Sequence, residues 1–144
     1  PAPATKDLSI EKACECDFFM PNETELAILT DMPVTTIEEA EKAADSLVAR
    51  GLKNVIVTLG GQGSLLVTRT GTTFVRPFQV NAIDTSGAGD AFIGCFACCY
   101  AETGDVPDAM KTASAFAALS VTKRGTQKSY PQKEEVLTFL RNRR

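Results

Sequence analysis

The stretch from Thr36 to Gly61 restricts the fold more than any other part of the sequence, because a helix and an apolar strand follow one another with their stop signals in place. Thr36 and Glu39 have the spacing of a capping box, in which each side chain satisfies a backbone N–H that the helix leaves unpaired. Ile37, Ala40, Ala43, Ala44, Leu47 and Val48 then recur at helical spacing and make one apolar face. Gly51 is placed to end that helix with a left-handed residue. Val55 to Leu59 is a β-branched run that stops at Gly60-Gly61, as expected of a strand buried on both faces. Such a strand needs layers on either side of it.

The remaining segments fit the same plan. Asp7 to Ala13 reads as a short helix, and Asp17 to Met20 as a short buried strand stopped by Pro21. Asn22 can cap a helix running through Glu25 and Leu29. Leu65 to Val67 and Thr72 to Val75 flank Gly71 as a hairpin. After Asp84 the chain turns helical, with Ala88, Ala91 to Ile93 and Cys95 to Ala101 apolar nearly all round, so this helix is expected inside a larger core. Pro107 opens another helix carrying Ala109, Met110, Ala113, Phe116 and Ala117. A last helix covers about Lys133 to Arg141, with Val136, Leu137 and Leu140 facing inward. Helices interleaved with short buried strands imply an α/β sandwich of layers. No repeat or linker-like stretch divides residues 1–144, so one domain is expected, with few strands for so many apolar helices. The opening Pro1 to Ala4 reads as extended and, lacking methionine, as a chain cut from something longer.

Charge and cysteine usage narrow the function classes. A net charge of -3 provides no broad attraction to nucleic acid or to an anionic membrane. The local basic stretches, Lys123-Arg124 and Arg141 to Arg144, read as a solvated turn and a frayed tail. No run approaches the roughly 18 apolar residues of a membrane span. Cys14, Cys16, Cys95, Cys98 and Cys99 are odd in number and three lie in one apolar stretch, which suits reduced, buried, inert thiols in a cytosolic core. Cys95-x-x-Cys98 has the spacing of a redox or zinc pair, but the sequence has no histidine and no second cluster of that spacing to complete it.

Asp84-Thr85-Ser86-Gly87-Ala88-Gly89-Asp90 is the segment that points to chemistry. Small residues lead into the start of a long helix, whose unpaired N–H groups and positive dipole end welcome an anion. Glycines let backbone approach a phosphate closely. Asp90, in the first turn, could take a proton from an alcohol while those N–H groups stabilise charge on a phosphoryl group, the arrangement phosphoryl transfer to a hydroxyl requires. The plainer reading of Asp90 is an acid favouring its helix N-terminus. Gly60-Gly61-Gln62-Gly63 directly follows a strand, where α/β folds place ligand loops, or else is an ordinary tight turn. Neither segment is a P-loop, and Phe92 stands where the dinucleotide fingerprint needs glycine.

Asp84 to Asp90 resembles the D-T-x-G-A-G-D signature of the PfkB-type carbohydrate kinases, the ribokinase family. Asn22-x-x-Glu25 is similar to that family's N-x-x-E motif, and Thr58-Leu59-Gly60-Gly61-Gln62-Gly63 to its nucleotide loop. Within the family, Pro1 to Ala4 and Gly125 to Ser129 look more like ribokinase than fructokinase or adenosine kinase. The resemblance covers essentially the whole chain. It implies a ribokinase-like three-layer α/β/α sandwich and transfer of phosphate from ATP to D-ribose, giving D-ribose 5-phosphate. Asp90 would be the general base, with Gly87, Ala88 and Gly89 as anion hole. Asn22, Glu25, Thr58 to Gly63 and Ser114 would surround the nucleotide, with Glu25 acting on Mg²⁺ through water. A monovalent cation, usually K⁺, would be held by Asp84, Ser86, Ser120, Lys123, Gly125 and Ser129, mostly through backbone carbonyls. The expected location is the cytoplasm, with the nucleus as a second compartment.

Members of the family are about twice this length. The strands and lid that hold the sugar, and through which members often form homodimers, are not among these residues. The chain alone is therefore expected to be a poor catalyst with its catalytic residues intact. Its alternatives are a truncated, non-catalytic fragment that binds nucleotide or a partner, and a related kinase for another sugar or nucleoside.

Overall fold

The computed structural model describes residues 4–143, so the readings of Pro1 to Pro3 and of Arg144 lie outside the described residues. The chain falls into two compact units, Pro1–Arg76 and Pro77–Arg144.

The first unit holds three helices, α1 (Ile10–Ala13), α2 (Glu23–Thr30) and α3 (Ile37–Ala49), and three strands, β1 (Asn54–Thr58), β2 (Ser64–Thr68) and β3 (Gly71–Val75). The α3 helix starts where the sequence places it: Thr36 Oγ1 accepts from the Glu39 N–H, and the Glu39 carboxylate accepts in return from the Thr36 N–H. Gly51 follows its end at φ 116°, and a Cβ there would come within 3.1 Å of the Cys14 sulfur. The sheet runs β1-β2-β3 and both pairs are antiparallel, with Ile56 opposite Leu66 and Leu66 opposite Thr73. Val55 and Val57 of β1 and Leu65 and Val67 of β2 share one face with Leu26 of α2 and with Ala40, Ala43, Ala44 and Leu47 of α3. Alanine at three positions lets α3 lie close on the strands. Each large aliphatic side chain buried there contributes about 1.5–3 kcal/mol.

Two local expectations are corrected in this unit. Helix α1 begins at Ile10 rather than Asp7, because Ser9 is the residue that accepts the Lys12 N–H and caps it. Asp17 to Met20 forms no strand: parallel pairing is confined to isolated bridges of Phe19 with Val55 and Asn22 with Thr58. Pro21 does not end that pairing, since its carbonyl accepts from the Thr58 N–H at 3.0 Å and only its missing N–H interrupts the ladder.

The second unit is helical: α4 (Ala88–Thr103), α5 (Val106–Ser120) and α6 (Lys133–Arg141). Asp105 caps α5 by accepting from the Asp108 N–H, which puts Pro107 at the second helical position. Helix α4 packs along α5, and α5 against α6. Helix α4, expected inside a larger core, is covered on one side by the described residues. Ala91, Phe92 and Phe96 are buried, yet Ile93 is 39% exposed and Cys98 is exposed, because α5 covers one side of the helix only. The cysteines are likewise not all buried: Cys16 and Cys98 are exposed and the other three are half-buried. Leu137, expected inward, is 46% exposed, while Val136 is buried and Phe139 packs on Phe78 with the Arg143 guanidinium 3.9 Å above its ring. No helix among the described residues is long and apolar enough to cross a membrane.

Candidate functional site

Two groups of residues carry the expected site, one in each unit. In the first unit, the main-chain pairing of Asn22 with Thr58 sets the N-terminus of α2 beside the end of β1. Asn22 Oδ1 accepts from the Glu25 N–H and Glu25 Oε2 accepts from the Asn22 N–H, both at 2.9 Å. The Asn22-x-x-Glu25 motif is therefore a complete capping box, whatever else it does. Glu25→Ala is expected to lower stability by about 1 kcal/mol, whereas Glu25→Gln keeps the cap and should leave the urea midpoint unchanged.

The loop after β1 is closed by its own backbone. Leu59 N–H donates to Gly63 O and Gln62 N–H to Leu59 O, each at 2.8 Å. Gly60 (φ 49°) and Gly63 (φ 111°) take conformations that disfavour side chains, so glycine here is a backbone requirement. Gly60, Gly61 and Gln62 are exposed, Leu59 is buried and Thr58 half-buried. One residue escaped the sequence reading: a Cβ added to Gly60 would lie 3.7 Å from Glu23 Oε1. The carboxylate of Glu23 thus overlooks the glycine loop, and its only signal was a place inside Asn22-x-x-Glu25.

In the second unit, Asp84 organises the approach to α4. Its Oδ1 accepts from the Ser86 N–H at 3.0 Å and its Oδ2 from the Gly125 N–H at 2.9 Å. Its own N–H and that of Ile83 both donate to the Val121 carbonyl. The segment entering α4 is thereby stapled to the loop leaving α5. The Gly125 N–H, then the N–H and hydroxyl of Ser86, with the Arg124 charge adding to them, hold the Asp84 carboxyl down at about 2.

Gly87 caps α4 at φ 75°, and its carbonyl accepts the first helical bond, from Ala91 N–H at 2.9 Å. The Ala88 N–H is turned back to Thr85 O at 3.2 Å. Gly89 and Asp90 lie in the first turn, where a helix supplies no acceptor for their N–H groups. Both are exposed, so these donors and the Asp90 carboxylate face solvent at the same helix end. Of the residues expected around a monovalent cation, Asp84, Ser86 and Gly125 are joined as described. Ser120 O accepts from Lys123 N–H at 3.4 Å, and Ser129 is buried with its hydroxyl on Thr126 O at 2.6 Å. The Lys123 ammonium is directed at Glu135, 3.3 Å away. Among the described residues no group of three or more Cys, Asp or Glu side chains is arranged to hold a metal ion.

A groove of about 510 Å³ runs from Asp90 along α4 between α5 and α6, lined by Cys95, Cys98, Phe116, Tyr130 and Leu137 among others. Ser114, expected near a nucleotide, lies half-buried on α5 and does not line it. The cysteine pair within the groove is Cys95 with Cys99, sulfurs 4.0 Å apart, rather than Cys95 with Cys98. Burial pushes the Cys95 thiol up to about 12, so it is protonated and unreactive near neutral pH.

These features can be set beside known proteins. A deoxyribokinase of Salmonella typhimurium is 58% identical over 97% of this chain, which spans 46% of that protein. A ribokinase structure from Thermotoga maritima is 41% identical and superposes with a TM-score of 0.88 over 99% of this chain and 48% of that one. The Arabidopsis thaliana ribokinase complexed with ribose and ATP is 33% identical with a TM-score of 0.87, over 92% of this chain and 43% of that one. The chain thus spans about half the length of the relatives it matches. These neighbours share the α/β fold of ribokinase, of which the three-stranded sheet and six α-helices among the described residues make up a part. The profile of the pfkB family carbohydrate kinases matches residues 1–133, and with that agreement of profile, fold and signature the chain belongs to this family.

Proposed function

We propose that this chain supplies the nucleotide-binding and catalytic residues of an ATP-dependent pentose kinase. The observation that carries the reading is the start of α4, where the N–H groups of Gly89 and Asp90 and the carboxylate of Asp90 are exposed together at one helix end. In the proposed reaction the Asp90 carboxylate takes the proton of a sugar hydroxyl. The sugar oxygen then bonds to the γ-phosphorus of ATP, the bond from that phosphorus to its bridging oxygen breaks, and ADP leaves. The helix dipole and the free N–H groups stabilise the transferred group throughout. In the first unit Thr58 to Gly63, with Asn22 and Glu25 nearby, would receive the nucleotide; in the second unit Ser114 is the residue proposed to contact it.

Mg²⁺ would be reached by Glu25 through water, and a monovalent cation such as K⁺ would sit on the carbonyls of the loop that Asp84 staples. If Glu25 has both roles, Glu25→Gln weakens Mg²⁺-dependent nucleotide binding while the helix cap persists; loss of both properties together would leave it a cap only. The free thiols fit a reducing compartment, and we place the protein in the cytoplasm.

For the acceptor, the 58% identity to a deoxyribokinase exceeds the 41% identity to a ribokinase. That difference favours deoxyribose over the D-ribose expected from sequence motifs. The test is ADP release with ATP, Mg²⁺ and K⁺, offering D-ribose and deoxyribose in turn. It is run on the chain alone and on the chain joined to the amino-terminal half of the Salmonella relative. Deoxyribose-dependent release by the joined protein supports the reading. Release independent of any pentose would overturn it, and a clear preference for D-ribose would restore the first expectation.

A further inference from the structure

The start of α4 has a second wall, built by the segment that follows α5. A Cβ on Gly87 would meet Thr126 Cγ2 at 3.2 Å and the Tyr130 hydroxyl at 3.6 Å. Of the two side chains that crowd this glycine, one therefore presents a methyl group and the other a hydroxyl. The Tyr130 ring is held from behind by Phe116, with centroids 5.5 Å apart at 59°. Tyr130 is half-buried, and no buried side-chain oxygen or nitrogen among the described residues is left without a partner. Tyr130 and Asp90 line the same groove.

A tyrosine ring packed on a second aromatic ring presents its hydroxyl, the polar end of an apolar body, from a defined position. That position is beside Gly87, the N-cap of a 16-residue helix. A glycine's Cβ position lies roughly 2.5 Å from its own nitrogen. The hydroxyl is thus within about 6 Å of the Gly87 nitrogen, given its distance to that position. Two oxygens of one phosphoryl group, each about 2.8 Å from its donor, span such a gap.

Resting on the kinase reading above, we infer that the Tyr130 hydroxyl is a further donor of the anion site, hydrogen-bonding the terminal phosphoryl group of the bound nucleoside triphosphate. Thr126 and Tyr130 would then divide the work at Gly87. The first keeps the backbone in its left-handed turn, and the second adds a side-chain donor where Ala88 has turned its own N–H away.

Calorimetric binding to the 144-residue chain tests this, using two probes with Mg²⁺: ADP, and the ATP analogue with a β,γ-imido bridge. Tyr130→Phe keeps the ring against Phe116 and removes only the oxygen. We expect the variant to bind the imido analogue about tenfold more weakly, the loss of one hydrogen bond to a charged group, and ADP as before. Unchanged affinity for both probes would overturn the inference. So would an equal loss for both, because it would make Tyr130 a structural residue with no contact to the terminal phosphoryl group. If the unmodified chain binds neither probe, the kinase reading of this chain fails and takes the inference with it.

Discussion

Asp90→Asn is expected to slow phosphoryl transfer about 10²- to 10⁴-fold, the range for removing a general base. The change is isosteric and falls on an exposed side chain in the first turn of α4. Its structural cost is limited to the favourable interaction of a carboxylate with the helix N-terminus, about 0.3–1 kcal/mol. The two roles therefore separate by magnitude. A base leaves a collapse in ADP-release rate with nucleotide affinity little changed, whereas a mere helix-end charge leaves a small shift in melting temperature and an intact rate. The measurement is the pentose-dependent assay on the chain joined to the relative's amino-terminal half. A rate within tenfold of the unmodified protein would remove Asp90 from the chemistry.

Alanine at Gly87 and at Gly89 should fail in different ways. Gly87 sits at φ 75°, where a side chain costs about 1–2 kcal/mol, and its Cβ would press on Thr126 at 3.2 Å. Gly87→Ala is expected to lower stability by about 2 kcal/mol and to weaken triphosphate binding as the turn shifts. Gly89 has helical backbone and nothing within 4 Å of its Cβ position. Gly89→Ala should leave stability unchanged or raise it by up to about 1 kcal/mol, yet set a methyl group where a phosphate oxygen must approach. Urea unfolding beside binding of the imido analogue distinguishes them. If Gly89→Ala binds the analogue as tightly as the unmodified chain, close backbone approach at that residue is not part of the site.

The contrast between these two glycines shows how much of the site could be read in one dimension. Both stand in the same seven-residue signature, and the sequence suggests only that small residues precede a helix. That Gly87 must be glycine for its backbone, while Gly89 has open space, depends on Thr126 and Tyr130, which come from a loop far along the chain. Asp84 is a similar case. Its place in the signature was legible, but its carboxylate lies under the Gly125 N–H, forty-one residues away. Glu23 went unremarked for the same reason, because no local pattern says that a helix end will pair with the end of β1.

Local physics decided the elements from sequence. Capping boxes at Thr36/Glu39 and Asn22/Glu25, the alanine-rich stripe of α3 and the β-branched run of β1 each depend on neighbours within a few residues, and each appears where those neighbours put it. Burial obeyed no such rule. The α4 sequence is apolar nearly all round, yet Ile93 and Cys98 are exposed, and Leu137 keeps helical spacing with Leu140 while standing exposed. Periodicity states which side chains could be covered; coverage is a property of what packs against them, and α5 reaches one side of α4 only. Helices α2 to α6, strands β1 to β3 and the signature were thus legible in the sequence alone, whereas the strand read at Asp17 to Met20 is reduced to isolated bridges. Which donors stay free, which cysteines pair and which apolar faces lie open were decided only in three dimensions, because they depend on contacts between segments distant along the chain.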